Sequence, residues 1–307
     1  MTAPPVRAFR PDDLSALQRL LAEVFSPAVA ARARWKYLEN PALVRPVVAV
    51  ATQPDGELAG CYPFMGREFA APRGTILAGL AADVAVRPSH RGGHLYYDLS
   101  VLAGDLAREA GMAFAYGFPN PETIRVARRV LKVRDWAVLE AWGRPLQSPG
   151  VALARRALGR LSPGERNGPG GPPSTASPPG AGVRDARFLA WRFGDQRRYR
   201  WRAEAGAYLI LARGDRLGRD RLVVDFGPAG AEAELAALLG DEVSQARSRG
   251  VERLWIFCLP GSAMARVAAS LQFTRTPGRD KPATVDPLGG APPLPPPHLT
   301  IADADDP

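Results

Sequence analysis

Between Ile76 and Ala110 the chain runs through an apolar strand pattern (ILAGLAADVAV), a basic turn (Arg87-Pro88-Ser89-His90-Arg91-Gly92-Gly93) and a helical pattern from Leu95 to Ala110. This strand, turn and helix order constrains the fold more than any other segment. At such a handover the first helical N–H groups lack partners, and the positive end of the helix dipole lies beside the Arg91 guanidinium. An anion such as a phosphate or pyrophosphate is the ligand that arrangement suits. A Pro followed by a Gly pair is also ordinary turn chemistry, so the order of the surrounding elements matters.

That order continues in the same style. Met112 to Tyr116 reads as a second short strand, Gly117 to Pro121 as a break, Glu122 to Lys132 as a helix spaced through Ile124, Ala127 and Leu131, and Trp136 to Trp142 as a closing strand. Upstream, Val6 to Arg10 predicts a first strand and Asp12 or Asp13 an N-cap. Leu14, Leu17, Leu20, Leu21, Val24 and Phe25 predict the apolar face of a first helix. Ala28 to Leu38 predicts a second helix stopped by Asn40-Pro41, and Pro54-Asp55-Gly56 a hairpin turn between Val47 to Thr52 and Glu57 to Phe64.

The segment Val86-Arg87-Pro88-Ser89-His90-Arg91-Gly92-Gly93 resembles the loop of the GNAT superfamily of N-acetyltransferases, where V-x-P-x-x-R-G-x-G precedes the helix that holds the pyrophosphate of acetyl-CoA. The resemblance covers Val6 to Gly143. It maps the family's (Q/R)-x-x-G-x-(G/A) onto Arg91 to Tyr96, with two departures: His94 stands where Gly is required and Tyr96 where Gly or Ala is usual. A Cβ at position 94 obstructs the close approach of backbone to phosphate, a role Gly93 takes over if the loop shifts by one residue. The resemblance implies a mixed α/β (α+β) fold with a splayed sheet flanked by helices. It also implies that acetyl-CoA serves as co-substrate without a metal, and that a small-molecule or glycan amine is the acceptor. The implied cofactor contacts are Val84, Val86, Arg91, Gly92, Gly93, His94, Leu95, Tyr96 and Asn120, with the main chain at Val84 to Val86 polarising the thioester carbonyl.

For catalysis, Asp83 is the one carboxylate of the central strand and the candidate base, directly or through water; its alternative is a salt-bridged strand residue. The tyrosine acid usual in the family has no counterpart, because Leu131 stands in its place. Tyr116, and Tyr96 or Tyr97, are the substitutes, each also readable as a packing aromatic. Asn120 is equally readable as a helix N-cap.

A low-resolution repeat follows. Trp35-Lys36-Tyr37 recurs as Trp191-Arg192-Phe193, and Phe114 to Arg134 recurs as Trp255 to Thr274, with Leu222 to Phe226 and Glu232 to Arg249 as the second copy's central strand and helix. The expected division is therefore two such domains in tandem. Residues 1–145 carry the acyl-CoA site, 146–183 form a linker, 184–286 form a degenerate copy without an R-G-x-G loop, and 287–307 form a proline-rich and acidic tail. Val151 to Leu161 reads as a basic amphipathic helix; Ser162 to Val183 and the tail read as unstructured.

A formal charge of +9 raises the possibility of a nucleic-acid partner, but the excess is arginine in an alanine-, glycine- and proline-rich chain and no nucleic-acid-binding signature accompanies it. Cys61 and Cys258 read as buried cytoplasmic thiols, and His90, His94 and His298 lack metal-ligand spacing. No apolar run approaches bilayer length. Two other functions stay open on the sequence: a catalytically silent acyl-CoA-binding or scaffold protein, and a Fem-type aminoacyl transferase using charged tRNA.

Overall fold

The computed structural model describes residues 4–148, 175–195, 198–214, 219–290, 293 and 295–304. The expected helix Val151 to Leu161 and the tract up to residue 174 lie outside the described residues. The chain forms two compact units, Met1–Trp136 with Ala283–Leu294, and Ala137–Pro282 with Pro295–Pro307.

The first unit opens with β1 (Val6–Ala8) and, after a short 3₁₀ turn, α1 (Leu14–Val24). Asp13 fixes that entry: its carboxylate accepts from the Arg10 N–H at 2.7 Å and pairs with Arg7 at 2.6 Å. Leu14, Leu17, Leu20 and Leu21 are buried as the periodicity predicts, whereas Phe25 is 48% exposed and leaves the core. The expected second helix is two short ones, α2 (Pro27–Ala30) and α3 (Ala33–Tyr37). Ser26 caps α2, and Asn40 holds the chain beyond α3 by donating to the Gly66 carbonyl at 3.0 Å.

β2 (Val47–Thr52) and β3 (Leu58–Ala71) form the expected antiparallel hairpin, its turn closed by Gly56 at φ +83°. Val48 and Val50 face Leu17, Leu20 and Leu21, while Val47, Ala49 and Ala51 face the next helix. Both faces of the sheet are thus covered, so β2 is apolar throughout.

β4 (Gly74–Ala81) pairs with β3 as far as Ala81 opposite Phe64, and β5 (Ala85–Val86) resumes with Ala85 opposite Cys61. Ala82, Asp83 and Val84 therefore face only Tyr62 and Pro63. This is a β-bulge, and it interrupts the strand that the sequence predicts as continuous. Asp83 sits in it at φ +52°. α4 (Leu95–Glu109) buries Leu95, Leu99 and Ala103 on the sheet, β6 (Phe114–Gly117) runs parallel to β4, and α5 (Pro121–Val130) follows.

The second unit is ordered β7 (Arg134–Pro145), β11 (Arg253–Cys258), β10 (Asp220–Gly227), β9 (Ala207–Arg213), β8 (Tyr199–Glu204) across its sheet. β10 and β11 are parallel and the other neighbours antiparallel. α6 (Ala186–Phe193), α7 (Glu232–Ser248) and α8 (Ala263–Ser270) complete it, with β12 (Thr274–Arg275) on β7. Each unit is a mixed sheet with flanking helices, as expected.

Three expectations are corrected. The strand after α5 does not close the first sheet: residues 140–145 of β7 pair with β11 of the second unit. In its place β13 (Lys281–Asp286) returns from the end of the chain to pair with β6, Val285 opposite Tyr116. The four residues of β6 are all buried, so that strand requires a partner, and strand alternation alone carries no information about which one. Residues 298–304 of the tail are not unstructured either. Leu299, Thr300, Ile301, Ala302 and Asp303 are each no more than 2% exposed, held through Arg184. The end of the glycine- and proline-rich tract is likewise folded, with Ala181 fully buried and Thr175 bridging Arg184.

Candidate active site

A cleft of about 1190 Å³ opens in the first unit, lined by the strand after the bulge, the basic turn, the start of α4, one face of α5 and the end of α1. Val84 and Val86 form its strand wall. Arg91, Gly92, Gly93, His94 and Tyr96 line the adjoining loop and helix start. Seven of the sequence-predicted site residues therefore converge on one cavity.

The loop solves the glycine problem in its own way. Gly92 takes φ +85°, the left-handed conformation only glycine adopts freely, and space around Gly92 and Gly93 is open enough that an added Cβ would meet nothing within 4 Å. His94 is in ordinary right-handed helical conformation at the N-cap position of α4, so the backbone conformation there does not demand glycine. Arg91 is anchored by its Nε donating to the Val86 carbonyl at 3.0 Å, and it lines the same cleft as the start of α4. His90 and Arg129 add further cationic or protonatable groups to the lining, with Glu122 the one carboxylate. An open glycine turn, a helix N-terminus and an arginine together fit the phosphates of a CoA thioester.

The remaining predicted residues lie elsewhere. Leu95 is buried in the core under α4. Asn120 caps α5, its Oδ1 accepting from Glu122 and Thr123 at 3.0 and 2.8 Å, and does not line the cleft. Tyr116 is 2% exposed within a cluster of Phe69, Phe114, Phe118 and Trp136, the packing role rather than that of an acid in the cleft. Asp83 is not in the cleft lining. Its Oδ2 accepts from the buried Lys36 ammonium at 2.7 Å and from the Tyr37 hydroxyl at 2.8 Å. That placement corresponds to the salt-bridged alternative rather than to the base.

Two groups of residues escaped the sequence reading. Glu122, Val126, Arg129 and Val130 share one face of α5 and form a cleft wall; their 4, 3 and 1 residue steps are the signal that could have found them. Tyr96 packs against Tyr62, their rings 5.9 Å apart. Burial raises the pKa of both, so both stay protonated at neutral pH. Nothing local in the sequence announces that pair. Burial also pushes the Cys258 thiol up to about 12 and the Cys61 thiol higher, leaving neither a nucleophile. Among the described residues, no three His, Cys, Asp or Glu side chains are grouped to hold a metal ion.

Residues 5–130 match the acetyltransferase (GNAT) domain family. Over that stretch the first unit is similar to a GNAT-type acetyltransferase domain. Solved structures extend the likeness to the fold of the whole chain. A GCN5-related N-acetyltransferase from Anabaena variabilis aligns with 93% of this chain and 73% of its own at 10% identity, with a TM-score of 0.62. A second, from Kribbella flavida, aligns with 92% of this chain and 70% of its own at 15% identity and TM-score 0.61. The glucosamine N-acetyltransferase region of a fungal multi-domain β-N-acetylglucosaminidase covers 93% of this chain and 38% of its own, at 15% identity and TM-score 0.55. No curated protein matches the chain. These likenesses show the fold and specify no substrate. Among the described residues no helix is long and apolar enough to cross a membrane.

Proposed function

We propose that the chain is a cytoplasmic N-acyltransferase whose first unit binds acetyl-CoA or another acyl-CoA and passes the acyl group to an amine. The observation that carries this reading is the convergence of Val84, Val86, Arg91, Gly92, Gly93, His94 and Tyr96 on one cleft. Arg91, the Gly92-Gly93 turn and the start of α4 hold the phosphates, and Val84 to Val86 run beside the thioester, which supplies the activated acyl group. With Asp83 ion-paired and Tyr116 packed away, Tyr96 and Tyr97, both in the cleft lining, are the tyrosines placed to give a proton to the departing thiolate. The acceptor is an amino sugar or envelope-polysaccharide precursor, a reading supported by the fold shared with the fungal glucosamine N-acetyltransferase region. The second unit is a degenerate tandem copy: β10 and β11 repeat the parallel pair β4 and β6, each followed by a helix. Nothing in the fold favours a silent scaffold or a tRNA-dependent transferase.

The test is calorimetric titration with acetyl-CoA and with pantetheine lacking phosphates. Binding is expected for the first and lost for the second. Arg91→Ala is expected to weaken acetyl-CoA binding about tenfold or more, the worth of a charge-assisted phosphate contact, with an unchanged melting temperature. Equal affinity for native and Arg91→Ala chains would sink the phosphate assignment.

A further inference from the structure

The bulge at Ala82 to Val84 is held by side chains far away in sequence, and that arrangement has no evident need if Asp83 is only a core residue. A left-handed conformation is unfavourable for a non-glycine residue, and Asp tolerates it better than most. Asp83 adopts it at φ +52° while burying its carboxylate against Lys36, itself 0% exposed. Tyr37 closes the other side, its hydroxyl reaching Asp83 Oδ2 at 2.8 Å and lying 3.4 Å from the Ala82 carbonyl. The Asp83 carbonyl accepts from Cys61 Sγ at 3.6 Å. Two side chains of α3 thus grip the side chain of the bulge and touch its backbone. The next residue, Val84, ends the bulge and lines the cleft.

We propose that Lys36 and Tyr37 act through Asp83 as a positioning clamp, fixing the bulge so that the main-chain N–H groups of Val84 to Val86 are aimed at the acyl carbonyl in the cleft. The proposal rests on the acyl-CoA reading and adds to it the device that sets the carbonyl's hydrogen-bond donors. Without the clamp the extra residue of the bulge has other ways to be accommodated, and each rotates the peptide planes that follow it. A preorganised donor at a developing oxyanion is worth about 10²–10³-fold in kcat, so a small rotation there has a large effect. Lys36, Tyr37 and Asp83 are positioning residues in this scheme, since none of them lines the cleft.

The experiment reads the carbonyl directly and needs no acceptor. Infrared difference spectra of acetyl-CoA labelled with carbon-13 at the acyl carbonyl are recorded on the full chain, with calorimetric affinities, for the native protein, Tyr37→Phe and Asp83→Asn. Tyr37→Phe removes one hydroxyl and keeps the packing; Asp83→Asn keeps the tolerance of positive φ and removes the charge. The expected result is a carbonyl band at lower frequency than in solution for the native chain. In both variants it moves back toward the solution position, while affinity, set by the phosphates, stays within about threefold. A native band shift that survives in Tyr37→Phe, the variant certain to preserve the packing volume, overturns the clamp, as does bound acetyl-CoA with an unshifted band in the native chain. Absence of acetyl-CoA binding by the native chain instead overturns the acyl-CoA reading itself.

Discussion

Arg184 is 2% exposed, and its guanidinium reaches Asp225, Asp303, Thr300 and the Gly182 carbonyl, at 2.9, 2.7, 3.1 and 2.9 Å at the nearest approaches. Removing it strands two buried carboxylates, so Arg184→Leu is expected to lower stability by about 3–5 kcal/mol in urea unfolding. Arg184→Lys is expected to recover little, because an ammonium cannot reproduce the planar fork that serves these partners together. A loss below about 1 kcal/mol for the leucine variant would show that the network contributes little to the folded state. The same contrast between local and distant partners decides which site residues could be read in the sequence. Arg91, Gly92 and Gly93 belong to a contiguous motif whose chemistry is local, and they line the cleft. Asp83 and its cation Lys36 are 47 residues apart, and no spacing rule connects them.

At the scale of elements, α5 shows one helix doing two jobs. Its N-terminus is capped by Asn120 and its exposed face supplies Val126 and Arg129 to the cleft. Asn120→Ala is expected to cost about 1 kcal/mol of stability, measured by thermal melting, while Asn120→Asp, which also accepts from the first-turn N–H groups, holds it. If capping is its whole role, acetyl-CoA affinity follows helix stability and returns with Asp; a loss of affinity that Asp does not restore would return Asn120 to the list of ligand contacts. The helices and strands themselves were legible because their apolar periodicity is local. The split between α2 and α3, and the bulge between β4 and β5, were not, because caps and register come from Ser26, Asn40 and the β3 partner rather than from the periodicity.

At the scale of the whole molecule, the end of the chain contributes to both units: β13 completes the sheet of the first, and the segment His298 to Ala304 fills the second. His298 lies edge-on to Phe226, and burial, reinforced by the charge of Arg184, depresses its pKa below the ordinary 6.5, with Asp225 and Asp303 opposing more weakly. A histidine that is neutral when folded and protonated when unfolded gives stability that is full above about pH 6.5 and falls as pH drops through that value, by at most about 1.4 kcal/mol per pH unit. Urea midpoints between pH 7.5 and 5 are expected to fall for the native chain and to flatten for His298→Gln; parallel curves would remove His298 as the origin. The carboxylates of Asp13 and Asp241, held below their usual range by Arg7 and Arg202, act only at lower pH. By itself the sequence determined the mixed α/β class, the order of most elements and the basic glycine turn, because periodicity, capping and turn chemistry act over a few residues. Only the tertiary structure decided that β7 and β13 serve the opposite units, that residues 298–304 are buried, and that Asp83 pairs with Lys36 and Tyr37. Those outcomes depend on which buried strand edge or buried charge finds its partner, and such pairings are made across the chain rather than along it.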